Sequence, residues 1–190
     1  LWMEQHLPDG RVGRAVSIGA GKSEKELSLL KKDVVEHFDL FDLSPERQNI
    51  TQNAAQKDGL QDRVSYTVGD AFEHDPIAQY DMVYWHAALH HMFDVPAAVS
   101  WSKTALKKGG VFAFHEYVGP RRFQWPESDL EIAYQARASI PTSLIERAAE
   151  HGFTVKHSIK CPTEEWMIAK DPSESEDSAR ILPAIIALFP

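Results

Sequence analysis

Five short β-prone runs, each closing on glycine, aspartate or histidine and separated by stretches of helical character, constrain this chain more than any other feature. The first run, 14–18, stops at Gly19-Ala20-Gly21, after which Glu24, Leu27, Leu29 and Leu30 space out as a short amphipathic helix. The second, 34–41, ends at Asp42. Ser44-Pro45-Glu46 then supplies a helix N-cap, a proline at the first helical position and an early acid, so a helix is predicted to about Asp58-Gly59. The third, 63–68, hands over to Gly69-Asp70, and the fourth, 80–85, to His86. A helix over 94–106, its end marked by Lys107-Lys108-Gly109-Gly110, leads to the fifth, 111–114, which runs into His115-Glu116-Tyr117. Strands alternating with helices imply βαβ units. The expected fold is therefore α/β, a doubly wound and mostly parallel sheet with right-handed crossovers and helices on both faces.

Composition narrows the partners. With 20 Lys and Arg against 28 Asp and Glu the net charge is -8, which opposes a general affinity for phosphate backbones and argues against a nucleic-acid ligand. The single cysteine, Cys161, rules out an intrachain disulfide and a Cys-rich zinc site, and fits a reducing, cytoplasmic setting. No apolar run approaches the roughly 20 residues that span a bilayer, so no membrane partner is expected. Beginning at Leu1 and ending directly after an apolar segment, the chain reads as a piece of something longer. The biased stretch Asp171-Pro172-Ser173-Glu174-Ser175-Glu176-Asp177-Ser178 reads as a loop or helix start that marks a boundary inside one domain.

In an open parallel sheet, ligands settle outside the carboxyl ends of the strands where strand order reverses. Gly19, Ala20 and Gly21 are small enough for a ligand to touch backbone. The Asp42 carboxylate can accept both hydroxyls of a ribose, and Asp70 can accept from an exocyclic amine, placing a purine between the second and third turns. Plain structural roles stand beside these: the glycines serve a tight turn, and both aspartates serve as caps. Taken together, in this order, they describe one nucleoside. A dinucleotide fingerprint would need glycine where Glu24 stands, and an acid there opposes a pyrophosphate. Gly21-Lys22-Ser23 is like the end of a phosphate loop, but the first glycine of that motif would fall on Val16.

Val16-Ser17-Ile18-Gly19-Ala20-Gly21 resembles the first motif of the class I S-adenosylmethionine-dependent methyltransferases. Asp42 resembles the family's ribose-binding acid, and Val68-Gly69-Asp70-Ala71-Phe72 its adenine-side motif. Residues 80–86 are similar to its fourth strand, and Ala88-Leu89-His90-His91 with 106–112 to the helix and strand that follow. The likeness covers roughly 12–118, with Ser23 standing where a third glycine is common. It implies S-adenosyl-L-methionine as cofactor, held by Gly19, Ala20, Gly21, Asp42, Leu43, Asp70, Ala71 and His86. It also implies a Rossmann-like sheet completed by an antiparallel hairpin. Two arrangements of the C-terminal part are open: a helix and strand over 144–159 with 165–170 as the last strand, or substrate-side segments around 121–126 and 171–174 with the hairpin missing beyond 190. The second is preferred. The cofactor core is accordingly assigned to 1–118 and a substrate-side part of the same domain to 119–190.

Methyl transfer asks the protein to align a nucleophile and, for an oxygen acceptor, to remove a proton. The fourth and fifth strands should flank the cleft, so His86, His90, His91, His115 and Glu116 are expected to gather where the methyl group emerges. His86, His90, His115 and Glu116 are the catalytic candidates, and the histidines favour O-methylation. Tyr117, Arg121, Arg122 and Trp125 are the candidates for holding a small-molecule or glycan-type acceptor. Two histidines with Glu116 have the ligand types of a metal site, but no metal is expected. Two rivals stand: a cofactor-binding domain without catalysis, serving a regulatory or scaffolding role, and an NTPase.

Overall fold

The computed structural model describes residues 5–153 and 160–189. Strands β1 (Val12–Ile18), β2 (Val35–Asp42), β3 (Val64–Val68), β4 (Tyr80–His86) and β5 (Leu106–His115) form one sheet in the order β3-β2-β1-β4-β5, every neighbouring pair parallel. Strand order reverses between β1 and β4. The connections leaving those two strands diverge to opposite sides there and open a crevice at their carboxyl ends.

Helices α1 (Glu24–Lys31), α2 (Pro45–Lys57) and α3 (Val95–Ala105) make the crossovers. The hydroxyl of Ser44 accepts the Arg47 amide with Pro45 opening α2, as its sequence predicts, and Asp94 caps α3 by accepting the Ala97 amide at 3.1 Å. Side chains alternate across β4. Met82 and Tyr84 pack with Leu27 and Leu30 of α1 and with Phe38 and Leu40, while Val83 and Trp85 join Val95 and Val99 of α3 on the other face. Helices thus cover both sides of the sheet, which is why β4 reads as an unbroken apolar run from Met82 to Trp85. Trp85 is fully buried, and its Nε1 donates to the Ser102 hydroxyl at 3.0 Å. An indole so placed is worth roughly 3–5 kcal/mol to a core.

Two expectations change. Lys107-Lys108-Gly109-Gly110, read as the close of a helix, lies within β5: Tyr80 pairs with Leu106 and Met82 with Val111, so β5 bulges between them. Gly109, at φ +80°, supplies the backbone turn that the bulge needs. Residues 165–170, the last strand in one of the two C-terminal arrangements, are helical within α6 (Glu164–Lys170), where Thr163 caps the first turn by accepting the Trp166 amide. The strand expected at the end of 144–159 falls on 154–159, outside the described residues. Among the described residues no strand follows β5. The chain continues instead as α4 (Glu127–Ala138), α5 (Thr142–Glu150), α6 and α7 (Ile181–Leu188). Ile181 and Ala184 of α7 enter the same core as Val83 and Trp85, and Phe189 packs on Phe112 with ring centres 4.9 Å apart.

Candidate functional site

A cavity of about 650 Å³ opens at the carboxyl ends of β1, β2 and β3, lined by Gly19, Asp42, Leu43, Asp70 and Ala71 together with Phe72, His91, Phe93 and Ser173. Five residues singled out at three separate strand ends thus share one wall. Gly19 has φ +64°, and a Cβ there would stand 2.8 Å from the Ala88 methyl, so the turn after β1 and the loop after β4 meet with no room for a side chain. Leu43 and Phe93 are 76% and 67% exposed. Apolar surface left open beside two carboxylates suits a flat ring bearing polar groups.

Asp42 combines the two roles that its position suggests. Its Oδ2 accepts the Gly21 amide at 2.8 Å and its Oδ1 the Ser44 amide at 2.9 Å, tying the first turn to the start of α2. Each carboxylate oxygen can accept a second hydrogen bond, so capacity for two hydroxyls remains. Asp70 caps the turn after β3 by accepting the Phe72 amide at Oδ1, 2.9 Å away. Ala20 and Gly21 do not line the cavity. Ala20 packs into the core beneath α1, and the Gly21 N–H is turned to Asp42. Ser23, where the family commonly has glycine, takes the left-handed conformation at φ 53°, its hydroxyl accepting from Thr51 at 3.1 Å.

The expected histidine group divides in two. His86 and His115, register partners at the ends of β4 and β5, stack with ring centres 5.1 Å apart and 15° between planes. Burial, with the neighbouring His115 and Lys25, holds the His86 imidazole below its ordinary pKa. His90 lies on the other side of Glu116, with Nδ1 2.5 Å from Glu116 Oε2. Glu116 also accepts the amides of Ala88 at 2.7 Å and Leu89 at 2.8 Å. Burial alone would raise this carboxyl, but the hydrogen bonds from His90, Ala88 and Leu89 outweigh it and the pKa is lowered. Burial likewise works against a charged His90, and Glu116, Glu174 and Asp171 overturn it, raising that pKa. Glu116 therefore pins the loop that carries Ala88 against Gly19, reaching from β5 to a wall of the cavity.

The two arginines do not present free cations. Arg122 is 3% exposed, and its guanidinium faces Glu176 while donating to the Pro172 carbonyl at 2.7 Å; its backbone N–H donates to Ser175 O at 2.9 Å. Arg121 bridges Glu176 and Glu164 at 2.7 and 2.9 Å on the surface. Both hold the 171–176 loop, whose residues 171–174 the preferred C-terminal arrangement puts on the substrate side. Arg122→Ala is accordingly expected to lower unfolding stability in urea by about 1.5–3 kcal/mol, because a buried guanidinium and its bonds to Glu176 and the Pro172 carbonyl are lost. Arg121→Ala should cost under about 1 kcal/mol, its pairs being exposed. Equal effects of the two substitutions would contradict this account. Tyr117 and Trp125 line a second cavity, of about 780 Å³, with Glu116, Val118 and Pro126, their rings meeting edge to face.

Ser173 and Glu174 fall in the expected substrate-side segment 171–174 without being singled out, and Glu26 was not foreseen. Glu26 is buried under the first turn and accepts the Ser17 hydroxyl at 2.8 Å; burial raises its pKa against the opposing effect of these hydrogen bonds. Its place in the first turn of α1, one helical step before the buried Leu30, was the only available signal.

A family model described as a methyltransferase domain matches residues 3–158. The chain belongs to this methyltransferase domain family. Among solved structures, a candidate sarcosine dimethylglycine methyltransferase from Galdieria sulphuraria shares 18% identity at a TM-score of 0.54, over 93% of this chain and 73% of that one. A candidate methyltransferase from Bacillus halodurans C-125 shares 20% identity at 0.52, over 79% of this chain and 65% of that one. The cyclase SpnF shares 20% at 0.52, over 58% and 41%. The methyltransferase domain described here thus spans less than two thirds of the length of the last two, and these likenesses establish its Rossmann-like fold. No curated protein matches the chain. S-adenosylmethionine is the cofactor of the class I methyltransferase family to which the domain belongs.

Proposed function

We propose that this domain carries S-adenosylmethionine-dependent methyl transfer to a small-molecule or glycan-type acceptor, with oxygen as the favoured nucleophile. The observation that carries this reading is the convergence of Gly19, Asp42, Leu43, Asp70 and Ala71 on one cavity. The fit is chemical as well as spatial. The cavity's size lies within the usual range of about 300–1,000 Å³ for small-molecule sites, Gly19 leaves its wall bare, and Asp42 retains acceptor capacity. Asp42 would hold the ribose, Asp70 and Ala71 the adenine, with Leu43 against the ring, and the Gly19 turn the methionine part. When bound, the cofactor supplies a methyl group already activated by its sulfonium.

The protein's own task is then alignment and removal of a proton. His86 ends β4 at the switch point, and its lowered pKa leaves it neutral near pH 7, ready to accept a proton from a hydroxyl. His115 stacks on it and opposes its charging in the resting state. Tyr117 and Trp125 offer aromatic faces to the acceptor, consistent with a sugar or another flat or amphipathic group. The net charge of -8 disfavours nucleic acid as acceptor. No helix among the described residues is long and apolar enough to cross a membrane, and the lone Cys161 accords with a cytoplasmic setting.

Calorimetry with S-adenosylhomocysteine, followed by transfer from labelled donor into a cell extract, tests the reading. Binding without transfer would favour a cofactor-binding domain of regulatory or scaffolding role. Once an acceptor is found, kcat/KM should rise with pH through a midpoint below 6.5, since the base works when neutral and its pKa is lowered. His86→Gln should remove that limb and slow turnover about 10²–10⁴-fold. A profile that survives the substitution would assign the proton to another group.

A further inference from the structure

Two histidines of the loop after β4 turn the same ring nitrogen toward one carboxylate of the distant 171–176 loop. Glu116 accepts from two backbone amides and from His90, so His90 carries its hydrogen on Nδ1. The Ser173 hydroxyl lies 2.6 Å from Asp171 Oδ1 and donates to it, which leaves the Ser173 oxygen to accept from His91 Nδ1 at 3.0 Å. Each ring, in its neutral form, therefore holds a lone pair on Nε2. His90 Nε2 stands 3.6 Å from Glu174 Oε1, and His91 Nε2 stands 3.9 Å from Glu174 Oε2. Those gaps are too long for hydrogen bonds.

We propose that His90, His91 and Glu174 form a binding site for a divalent transition-metal ion. Their donor atoms all lie within 4.8 Å of one another. Metal bonds of about 2.0–2.2 Å require these separations to close by about an ångström or less. Two imidazoles and one carboxylate are a donor set typical of zinc, and of iron or manganese with open positions. Each imidazole is oriented from behind by an oxygen, Glu116 for His90 and Ser173 for His91, the arrangement by which proteins aim metal-binding histidines. Three carboxylates, Glu116, Asp171 and Glu174, surround the two rings, and a dication offsets their negative charge. The loop carrying Glu174 is held in place by Arg122 through the Pro172 and Ser175 carbonyls. Local sequence spacing cannot register Glu174, a donor supplied by a loop so far along the chain.

The site stands between the two cavities: His91 and Ser173 line one and Glu116 the other. Three protein donors leave positions for water or for an oxygen of the acceptor. Metal uptake is independent of the methyl-transfer reading, so either can fail alone. The test uses the full chain, freed of any histidine tag and stripped with chelator, titrated with Co²⁺ and Zn²⁺ by calorimetry and visible absorption. One Co²⁺ per chain with a ligand-field spectrum is expected, displaced by Zn²⁺. His91→Ala and Glu174→Gln should each weaken uptake at least tenfold, and the milder Ser173→Ala severalfold, with circular dichroism confirming that the variants fold. Absence of one-to-one uptake would overturn the proposal and leave only a cluster of polar side chains. Uptake that folded His91→Ala and Glu174→Gln retain in full would overturn it equally.

Discussion

Gly19→Val is expected to eliminate S-adenosylhomocysteine binding in calorimetry. At φ +64° a non-glycine residue is strained by roughly 1–2 kcal/mol, and a β-branched one by more. Space compounds the strain, since the new Cβ would lie 2.8 Å from the Ala88 methyl. Ala88 cannot retreat cheaply, because its amide and that of Leu89 are bonded to the buried Glu116. The valine must then push its own turn outward, into the cavity lined by Asp42 and Asp70. Gly19→Ala should weaken binding less, as it adds the clash and the strain without the branched bulk. A folded Gly19→Val protein that binds product with unchanged Kd would remove the turn from the cofactor site.

Asp42→Ala should weaken cofactor binding by about 100-fold or more. Hydrogen bonds to a charged group contribute about 1.5–3 kcal/mol each, and two to the ribose would be lost together. The substitution also frees the Gly21 and Ser44 amides, loosening the tie between the first turn and α2. That second effect belongs to folding and should cost about 1 kcal/mol in urea denaturation, as for a lost cap. Measuring both separates them: a ribose ligand makes the binding loss exceed the stability loss, whereas a cap alone lowers stability and leaves the Kd of the folded protein nearly unchanged. Asp42→Asn keeps one acceptor oxygen and should fall between.

The fold was legible because parallel strands buried on both faces have to be short apolar runs, and their ends have to be polar. Glycine, aspartate or histidine accordingly closed every run, and the cavity wall formed by Gly19, Asp42 and Asp70 was visible in outline. Boundaries were less so. Lys107-Lys108-Gly109-Gly110 has the composition of a turn, yet pairing with β4 draws it into β5 as a bulge, because the neighbouring strand satisfies its backbone. Residues 165–170 have strand-like Trp, Met and Ile, but a capping threonine and the packing of Met167 make them helical.

Arg121 and Arg122 show why side-chain roles are harder to read than elements. Two adjacent cations beside aromatic residues suggest an anion site, and whether they are free depends on acids more than forty residues away. Glu176 and Glu164 consume them. The histidines divide for a related reason: His86 and His115 are register partners on adjacent strands, whereas His90 and His91 lie in the loop after β4.

By itself the sequence determined the parallel sheet, its helical cover and the three strand ends that share a cavity, since periodicity and turn chemistry are local and survive in one dimension. The tertiary structure alone decided which polar groups are spent on one another. Glu116 pinning the loop beside Gly19, Arg122 clamping the 171–176 loop, and Glu174 facing two histidines all join residues distant in the chain. Hydrogen bonds and ion pairs act over a few ångströms of space, and sequence separation carries almost no record of which distant partners will come within that reach.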